Sequence, residues 1–250
     1  MEPSDVGRIQ AIIVARMGSE RFRGKSMAPL AGRPAFGRIV ERLRRSRYID
    51  GIVLATTTGP EDDVLEAAAR HEGVVPFRGS AVDVLGRVLG AAQSVSASII
   101  VEITGDCPLV DHRIVDRVIE AFLRERPDYA ANAIPPTYPN GMDVQVYPTS
   151  VLREVERLTS DPADREHGTL FIYEHPERYR LLNITAPADQ HWPDLRLTLD
   201  TREDYALISA VYDALYASDP DFGLVETLGY LRAHPALLAL NQEILQKPVR

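Results

Sequence analysis

IQAIIVARMGSERFRGK, residues 9–25, joins an almost wholly apolar run to a loop rich in positive charge. The run, residues 9–15, predicts a buried β-strand, because a strand covered on both faces of a parallel sheet is apolar throughout. The cations of the loop are Arg16, Arg21, Arg23 and Lys25. The whole chain has a net charge of -8, so this local positive charge indicates a binding site for an anion such as phosphate. A solvated turn with a chance cluster of cations is the alternative interpretation.

Strands and helices alternate through the first half of the chain. The predicted strands cover residues 9–15, 51–57, 73–77 and 97–106, and the predicted helices cover residues 34–45, 61–71, 83–93 and 111–126. This alternation is typical of βαβ units. We therefore predict the α/β class, with a mainly parallel sheet that carries helices on both faces.

The pattern changes after the fourth helix. Residues 128–147 are rich in Pro, Asn, Gly and Tyr, and they predict antiparallel strands with a hairpin. Helices are predicted at residues 150–158, 164–174, 202–217 and 224–238, and short strands at residues 179–185 and 194–200. Since no linker divides the chain, we predict a single domain over residues 1–250 with an antiparallel insertion at about 128–185.

Composition excludes several classes of protein. The single cysteine, Cys107, excludes an internal disulfide and is typical of a reducing cytosol. The N-terminus lacks the pattern of a signal peptide, and no apolar run approaches the ~20 residues of a membrane helix. The acidic balance argues against binding to nucleic acid. We therefore expect a cytoplasmic protein without a nucleic-acid or membrane partner.

Two aspartates follow predicted strands and face the same edge of the sheet as the basic loop. Asp106 ends the strand at residues 97–106, and Asp200 ends the one at residues 194–200. Ligands of open parallel sheets bind at the carboxyl ends of the strands, and Mg²⁺ is commonly held by one or two carboxylates plus substrate phosphates. The alternative is that each aspartate only caps a turn or helix. Together they favour metal-assisted phosphoryl chemistry.

Four motifs occur in order along the chain: ARMGSERFRGK, TGDCPLVD, ADREHGTLFIYEHPERY and LTLDTREDYALI. Together they resemble the SpsF-like members of the cytidylyltransferase family, which is related to the CMP-sialate and CMP-3-deoxy-manno-octulosonate synthetases. The resemblance implies a Rossmann-like nucleotidyltransferase fold and Mg²⁺-dependent transfer of CMP from CTP to an anionic sugar, with release of pyrophosphate. It also implies a role in activated-sugar and cell-surface polysaccharide biosynthesis. In relatives the insertion contributes to a dimer, so we expect a homodimer.

The resemblance also implies roles for individual residues. The nucleotide-binding residues would be Ala15, Arg16, Gly18, Ser19, Arg21, Lys25, Thr56, Arg78, Gly79, Ser80, Asp83 and Asp106. The catalytic residues would be Arg16, Lys25 and Asp106, and the Mg²⁺ ligands Asp106 and Asp200. The acceptor would contact Asp143, Arg165 and His167. For Asp143, termination of a hairpin after Asn140-Gly141 is an equal alternative.

The sequence departs from the family pattern at two positions. Arg23 stands where relatives have proline, and it has no assigned role. Gly168 stands where relatives have valine, inside the helix predicted at residues 164–174. Three other functions remain open: a guanylyl- or uridylyltransferase acting on a sugar 1-phosphate, a metal-dependent glycosyltransferase, and a catalytically silent nucleotide-binding module. A glycosyltransferase would usually carry two aspartates in a DxD motif, and the loop at Asp106 lacks the second.

Overall fold

The structure, a computed structural model, describes residues 7–245. Its strands are β1 (Ile9–Val14), β2 (Pro29–Leu30), β3 (Arg33–Pro34), β4 (Gly51–Thr57), β5 (Val75–Gly79), β6 (Ile99–Thr104), β7 (Tyr129–Ala131), β8 (Gln145–Pro148) and β9 (Leu181–Asn183). Its helices are α1 (Ala35–Leu43), α2 (Asp63–His71), α3 (Val84–Ser94), α4 (His112–Glu125), α5 (Thr149–Leu158), α6 (Pro162–Glu166), α7 (Leu170–Glu174), α8 (Arg202–Leu215), α9 (Leu224–Ala233) and α10 (Pro235–Leu238).

Seven strands form one sheet in the order β5-β4-β1-β6-β8-β7-β9. Strands β4 and β6 flank β1, and both pair with it in parallel. Strand β8 lies antiparallel between β6 and β7, and β9 runs parallel to β7. The predicted mainly parallel sheet is confirmed. The antiparallel strands of the predicted insertion extend this sheet instead of forming a separate layer.

Helices cover both faces of the sheet, as predicted. Ile13 packs into a cluster that includes side chains of α1, α4, α8 and α9, whereas Ile12, its neighbour in the strand, packs into a cluster that includes α3 and α5. Alternate residues of a strand point to opposite faces, so an apolar β1 feeds both clusters. No helix within residues 7–245 has the length and apolarity needed to cross a bilayer.

Three predicted elements differ in the structure. Residues 164–174 form two short helices instead of one, because Gly168 adopts the left-handed region with φ +45° and ends α6. The helix predicted at residues 224–238 breaks before Pro235, which lacks the N–H that a continuous helix needs. Residues 194–200 are not a strand, although Arg196 makes a single β-bridge to Asn140.

The Asn140–Gly141 segment packs on residues 194–200 instead of forming a free hairpin turn. The Asn140 amide donates to the carbonyl of Leu195 at 2.9 Å, and the Leu197 amide donates to the carbonyl of Asn140 at 2.7 Å. Gly141 has φ +105°, and a Cβ there would lie 2.7 Å from the carbonyl carbon of Leu197. Glycine is therefore required at this position by both conformation and space.

We expect Gly141→Ala to lower the free energy of unfolding by more than about 1 kcal/mol, because it adds backbone strain and a backbone clash. Gly229→Ala is the matched control. A Cβ at this position of α9 meets no atom within 4 Å, so alanine should be neutral or stabilise by up to about 1 kcal/mol. Urea denaturation of both variants measures the difference, and equal stabilities would contradict the role of Gly141.

Candidate active site

A cleft of about 800 Å³ opens where β1 and β6 end. The basic loop after β1 forms one side, and β8 with the α6–α7 turn forms the other. Of the predicted site residues, the following line the cleft: Ala15, Arg16, Gly18, Ser19, Arg21, Lys25, Asp106, Asp143, His167 and Asp200. The carboxyl end of the sheet is therefore the place where these residues meet, as strand order alone requires.

The basic loop is folded around its own backbone. The carbonyl of Met17 accepts hydrogen bonds from the amides of Ser19 at 2.9 Å and Gly24 at 3.2 Å. Gly24 has φ +78°, a left-handed conformation that glycine adopts without strain. By contrast, a Cβ on Gly18 meets nothing within 4 Å, so packing against the rest of the chain does not require glycine at this position.

Asp62, which sequence reasoning missed, anchors this loop to the end of β4. Its carboxylate is fully buried and accepts from the amide of Met17 at 2.6 Å and from the amide of Thr57 at 3.0 Å. A buried carboxylate that receives backbone N–H groups is satisfied without a cation. The signal in the sequence was only an acidic residue before α2, which resembles an ordinary helix start.

Lys25 joins the two candidate metal ligands. Its ammonium lies 2.7 Å from Oδ1 of Asp200 and 3.4 Å from Oδ2 of Asp106. Burial alone would lower the pKa of Lys25, but the two carboxylates raise it above its ordinary value. The lysine is therefore charged and holds the two carboxylates together.

Asp200 is the more heavily paired of the two aspartates. Its Oδ2 lies 3.1 Å from Arg21 and also accepts from Arg196. Burial would raise the pKa of Asp200, but Lys25, Arg196 and Arg21 lower it below the usual range. The capping interpretation does not hold, because the N-cap of α8 is Thr201, which forms a capping box with Asp204.

A buried network behind the cleft holds Arg196. Its Nε donates to Oδ1 of Asp204 at 3.0 Å, and Asn241 donates to the same oxygen at 2.8 Å. Asp204 is fully buried and also accepts from the amides of Asp200 and Thr201, each at 3.0 Å. Such a satisfied network fixes the position of Asp200.

Asp106 is placed by close packing of strand ends. A Cβ on Gly105 would lie 2.4 Å from the Cβ of Ala15, so only glycine lets β6 end this close to β1. The backbone carbonyl of Asp106 accepts from the Leu199 amide at 2.7 Å. Its carboxylate contacts side chains, those of Lys25 and Cys107, instead of capping a turn.

Cys107 is a structural residue. It is fully buried, and its thiol lies 3.0 Å from the hydroxyl of Thr104. Burial, and then the neighbouring Asp106 carboxylate, raise the pKa of the Cys107 thiol well above its ordinary value. A thiol that stays protonated is not a nucleophile.

The donor set at Lys25 fits Mg²⁺ bound together with a phosphorylated substrate. The carboxylates of Asp106 and Asp200 lie close together because both contact the Lys25 ammonium, and one or two carboxylates are what Mg²⁺ commonly takes from a protein when phosphates complete its shell. Among the described residues, no group of three or more His, Cys, Asp or Glu side chains could hold a metal ion by itself.

The opposite wall of the cleft is polar and acidic. Gln145 accepts from the hydroxyls of Tyr129 at 2.8 Å and Thr169 at 2.6 Å. Glu102, which the sequence analysis did not select, is 7% exposed, lines the cleft and accepts from the hydroxyl of Tyr147. Burial raises the pKa of Glu102, and the hydrogen bond from Tyr147 and the charge of Arg87 lower it only in part. Burial also raises the pKa of Asp143 to about 6.

Six predicted site residues lie outside the lining of the cleft: Thr56, Arg78, Gly79, Ser80, Asp83 and Arg165. Arg78 is held by the carboxylates of Asp63 and Glu66 at the start of α2. Thr56 is fully buried, and its hydroxyl has no hydrogen-bond partner within residues 7–245. These placements give neither residue a direct contact with the cleft.

Asp83 and Arg165 pair with each other beside the cleft. Asp83 is the N-cap of α3, where it accepts from the Gly86 amide at 2.9 Å, and its other oxygen pairs with Arg165. Ser80 accepts from the Asp83 amide at 3.1 Å. The ion pair ties α6 to α3, so these residues position the walls of the cleft.

Arg23, the departure from the family pattern, is exposed and lies outside the lining of the cleft. Within residues 7–245 it makes no ion pair and no hydrogen bond. The homodimer expected from the resemblance stays a prediction.

Comparison with known proteins shows the family. The profile described as cytidylyltransferase matches residues 10–228. The spore coat polysaccharide biosynthesis protein SpsF of Bacillus subtilis (strain 168) is 36% identical over 231 residues, which cover 90% of this chain and 94% of SpsF. A 3-deoxy-manno-octulosonate cytidylyltransferase of Anaeromyxobacter sp. (strain Fw109-5) is 35% identical over 118 residues, 46% of this chain and 47% of that protein. The structure of a cytidylyltransferase from Leptospira borgpetersenii superimposes with a TM-score of 0.88 at 30% identity, covering 97% of this chain and all of the other.

The raised pKa of Asp143 predicts a pH-dependent effect of Asp143→Asn. A carboxyl with pKa about 6 in the folded protein and 3.8 as its ordinary value stabilises the fold below pH 4, and this stability is lost as the pH rises through 6. Asparagine removes this loss and still accepts from the Gly141 amide. The variant should therefore gain stability over the natural protein between pH 4 and pH 7, measured by urea denaturation at both pH values. A difference that is independent of pH would contradict the assignment.

Proposed function

This chain belongs to the cytidylyltransferase family, and on that premise we propose that it transfers CMP from CTP to an anionic sugar, with release of pyrophosphate. The acceptor class is a 2-keto sugar acid or a sugar phosphate. Two relatives support this choice, since one is named for polysaccharide biosynthesis and another for the cytidylylation of 3-deoxy-manno-octulosonate. The product would be an activated sugar for a cell-surface polysaccharide.

The observation that carries the proposal is the meeting of Lys25, Asp106 and Asp200 in one cleft. The three residues come from positions far apart in the sequence and from three separate segments: the loop after β1, the end of β6 and residues 194–200. Arg16 lines the same cleft and makes no ion pair within residues 7–245. A cleft that brings together paired carboxylates and an unpaired cation suits a nucleoside triphosphate with its metal.

Asp106 and Asp200 would hold Mg²⁺, and the bound ion would neutralise charge on the phosphate oxygens. The other contributions come from this chain's own side chains. Arg16 and Lys25 bind the phosphates and stabilise the leaving pyrophosphate by their charge. Ser19 and Arg21 line the same side of the cleft and support this contact.

The acceptor oxygen attacks the α-phosphate in line, and the bond from that phosphate to the pyrophosphate breaks. Catalysis depends on positioning and charge and needs no covalent enzyme intermediate. A sugar phosphate attacks without a base. For a sugar hydroxyl, Asp143 is suited to accept the proton near neutral pH, because its pKa is raised to about 6. His167 lies on the same side of the cleft.

Pyrophosphate release with each of CTP, GTP, UTP and ATP tests the proposal. The acceptors are a 2-keto sugar acid and a sugar 1-phosphate, assayed with and without Mg²⁺. We expect release with CTP and Mg²⁺ in the presence of an acceptor. Release with GTP or UTP in preference to CTP would show that the protein uses that nucleotide as its donor. Nucleotide binding without any release would instead support a catalytically silent module.

The cluster at Lys25 predicts the effect of two substitutions. Lys25→Ala removes a positive charge that stabilises the leaving pyrophosphate, so it should lower kcat/KM by at least about tenfold. Asp106→Asn should abolish Mg²⁺-dependent pyrophosphate release. Arg124→Ala, on the exposed surface of α4, is the control and should keep full activity with the same circular dichroism spectrum. Unchanged turnover in Lys25→Ala would refute the phosphate contact.

A further inference from the structure

A buried arginine forms part of the floor of the cleft. Arg87 lies in the first turn of α3, is 3% exposed and lines the cleft beside the basic loop. Gly79, at the end of β5, makes room for it, because a Cβ at Gly79 would lie 2.9 Å from Cγ of Arg87. The sequence analysis placed Gly79 among the nucleotide-binding residues, and the structure adds a packing reason for a glycine at this position. Arg87 itself has no role in any assignment made above.

The guanidinium of Arg87 is incompletely satisfied. One terminal nitrogen donates to the carbonyl of Ser80, but Nε is buried and has no hydrogen-bond partner among residues 7–245. Within the same residues, no carboxylate oxygen lies within 4.0 Å of its nitrogens. A buried charge is normally paired, because its desolvation is costly.

The other buried arginines of the described chain are compensated. Arg38 pairs with Glu41, and Arg196 pairs with two aspartates. Arg42 lacks a carboxylate, and one of its terminal nitrogens is likewise buried without a hydrogen-bond partner among residues 7–245, but its guanidinium lies 4.3 Å from the ring centroid of Phe222 and 5.5 Å from that of Tyr212. Arg87 differs from all three because it is the one that faces the cleft.

A second uncompensated cation lies nearby. Burial, and next the charge of Arg16, lower the pKa of Arg87 below its ordinary value, and the more distant carboxylates of Asp62, Glu102 and Asp83 offset this only in part. Arg16 is exposed in the same cleft and makes no ion pair within residues 7–245, whereas Lys25 and Arg21 both pair with Asp200. Since neither arginine has a carboxylate within 4.0 Å among residues 7–245, the two like charges repel each other in one cavity, and a bound anion offsets that cost.

We propose that Arg87 and Arg16 together form a pocket for an oxyanion, the phosphate or carboxylate group of a substrate, in the floor of the cleft. The inference rests on the proposed function only for the identity of that substrate. Two sources share this chemistry: the α-phosphate of the nucleotide and the acid group of the sugar. Arg87 is then a binding residue of the cleft, and its planar guanidinium suits two-oxygen contact with either group.

Titration of the full chain with inorganic phosphate tests the pocket directly, by calorimetry and by the shift in Tm. Arg87→Met should weaken phosphate binding by at least about tenfold and, without phosphate, should have a Tm equal to or above that of the natural protein. Arg87→Lys retains the charge and should lose less affinity. The matched control is Arg38→Met, in another buried arginine, which should lower Tm and keep phosphate affinity. Unchanged phosphate affinity in Arg87→Met, or no phosphate response in the natural protein, would overturn the proposal.

Two further titrations identify the source of the oxyanion. CTP without metal and 3-deoxy-manno-octulosonate are each added to the natural protein and to Arg87→Met. Weaker binding of CTP assigns the pocket to the nucleotide, and weaker binding of the sugar acid alone assigns it to the acceptor. If both bind equally well to the two proteins, the pocket is refuted. Failure of the proposed function would show separately, as absent pyrophosphate release with the phosphate result intact.

Discussion

The contact of one ammonium with two carboxylates organises this molecule. Lys25 reaches Asp200 at 2.7 Å and Asp106 at 3.4 Å, which requires that the loop after β1, the end of β6 and residues 194–200 meet at one point. Ideal sheet geometry does not bring them so close. Gly105 permits the contact of β6 with β1, and the hydrogen bond from Leu199 to the Asp106 carbonyl joins the third segment. The ion cluster is thus the product of backbone constraints that lie around it.

The segment at residues 194–200 shows why a pattern of alternating apolar residues need not become a strand. Its leucines are buried in the main cluster, as alternation predicts. Its polar positions, however, carry Arg196 and Asp200, which pair with each other, and Arg196 also pairs with Asp204 of α8. A buried charge that loses its partner costs several kcal/mol, so the segment follows the geometry of its ion pairs. Strand pairing is reduced to one bridge, at Arg196.

The sequence was informative where the signal is local. Apolar runs located the four parallel strands, and an aspartate after a buried strand located Asp106, because both depend on neighbours in the chain. It was uninformative where partners are distant. Asp62 accepts a hydrogen bond from the Met17 amide, and the charge of Arg16 acts on Arg87. Both pairs are far apart in the sequence, so no sequence motif contains them. Arg78 lies in a convincing motif, but its charge is taken up by carboxylates of α2, so its contact with a nucleotide stays a prediction.

The distribution of charge across the cleft gives a direction to whatever binds there. Within residues 7–245, the cations on one side divide into Lys25 and Arg21, which pair with Asp200, and Arg16 and Arg87, which have no carboxylate within 4.0 Å. The other side presents the carboxylates of Asp143 and Glu102 with raised pKa values. An oxyanion of a ligand is favoured beside Arg16 and Arg87, and ligand hydroxyls are favoured beside the carboxylates, which accept hydrogen bonds. The desolvation cost of Arg87 is offset by any ligand that places an oxyanion against it, so this cost favours anionic ligands over neutral ones.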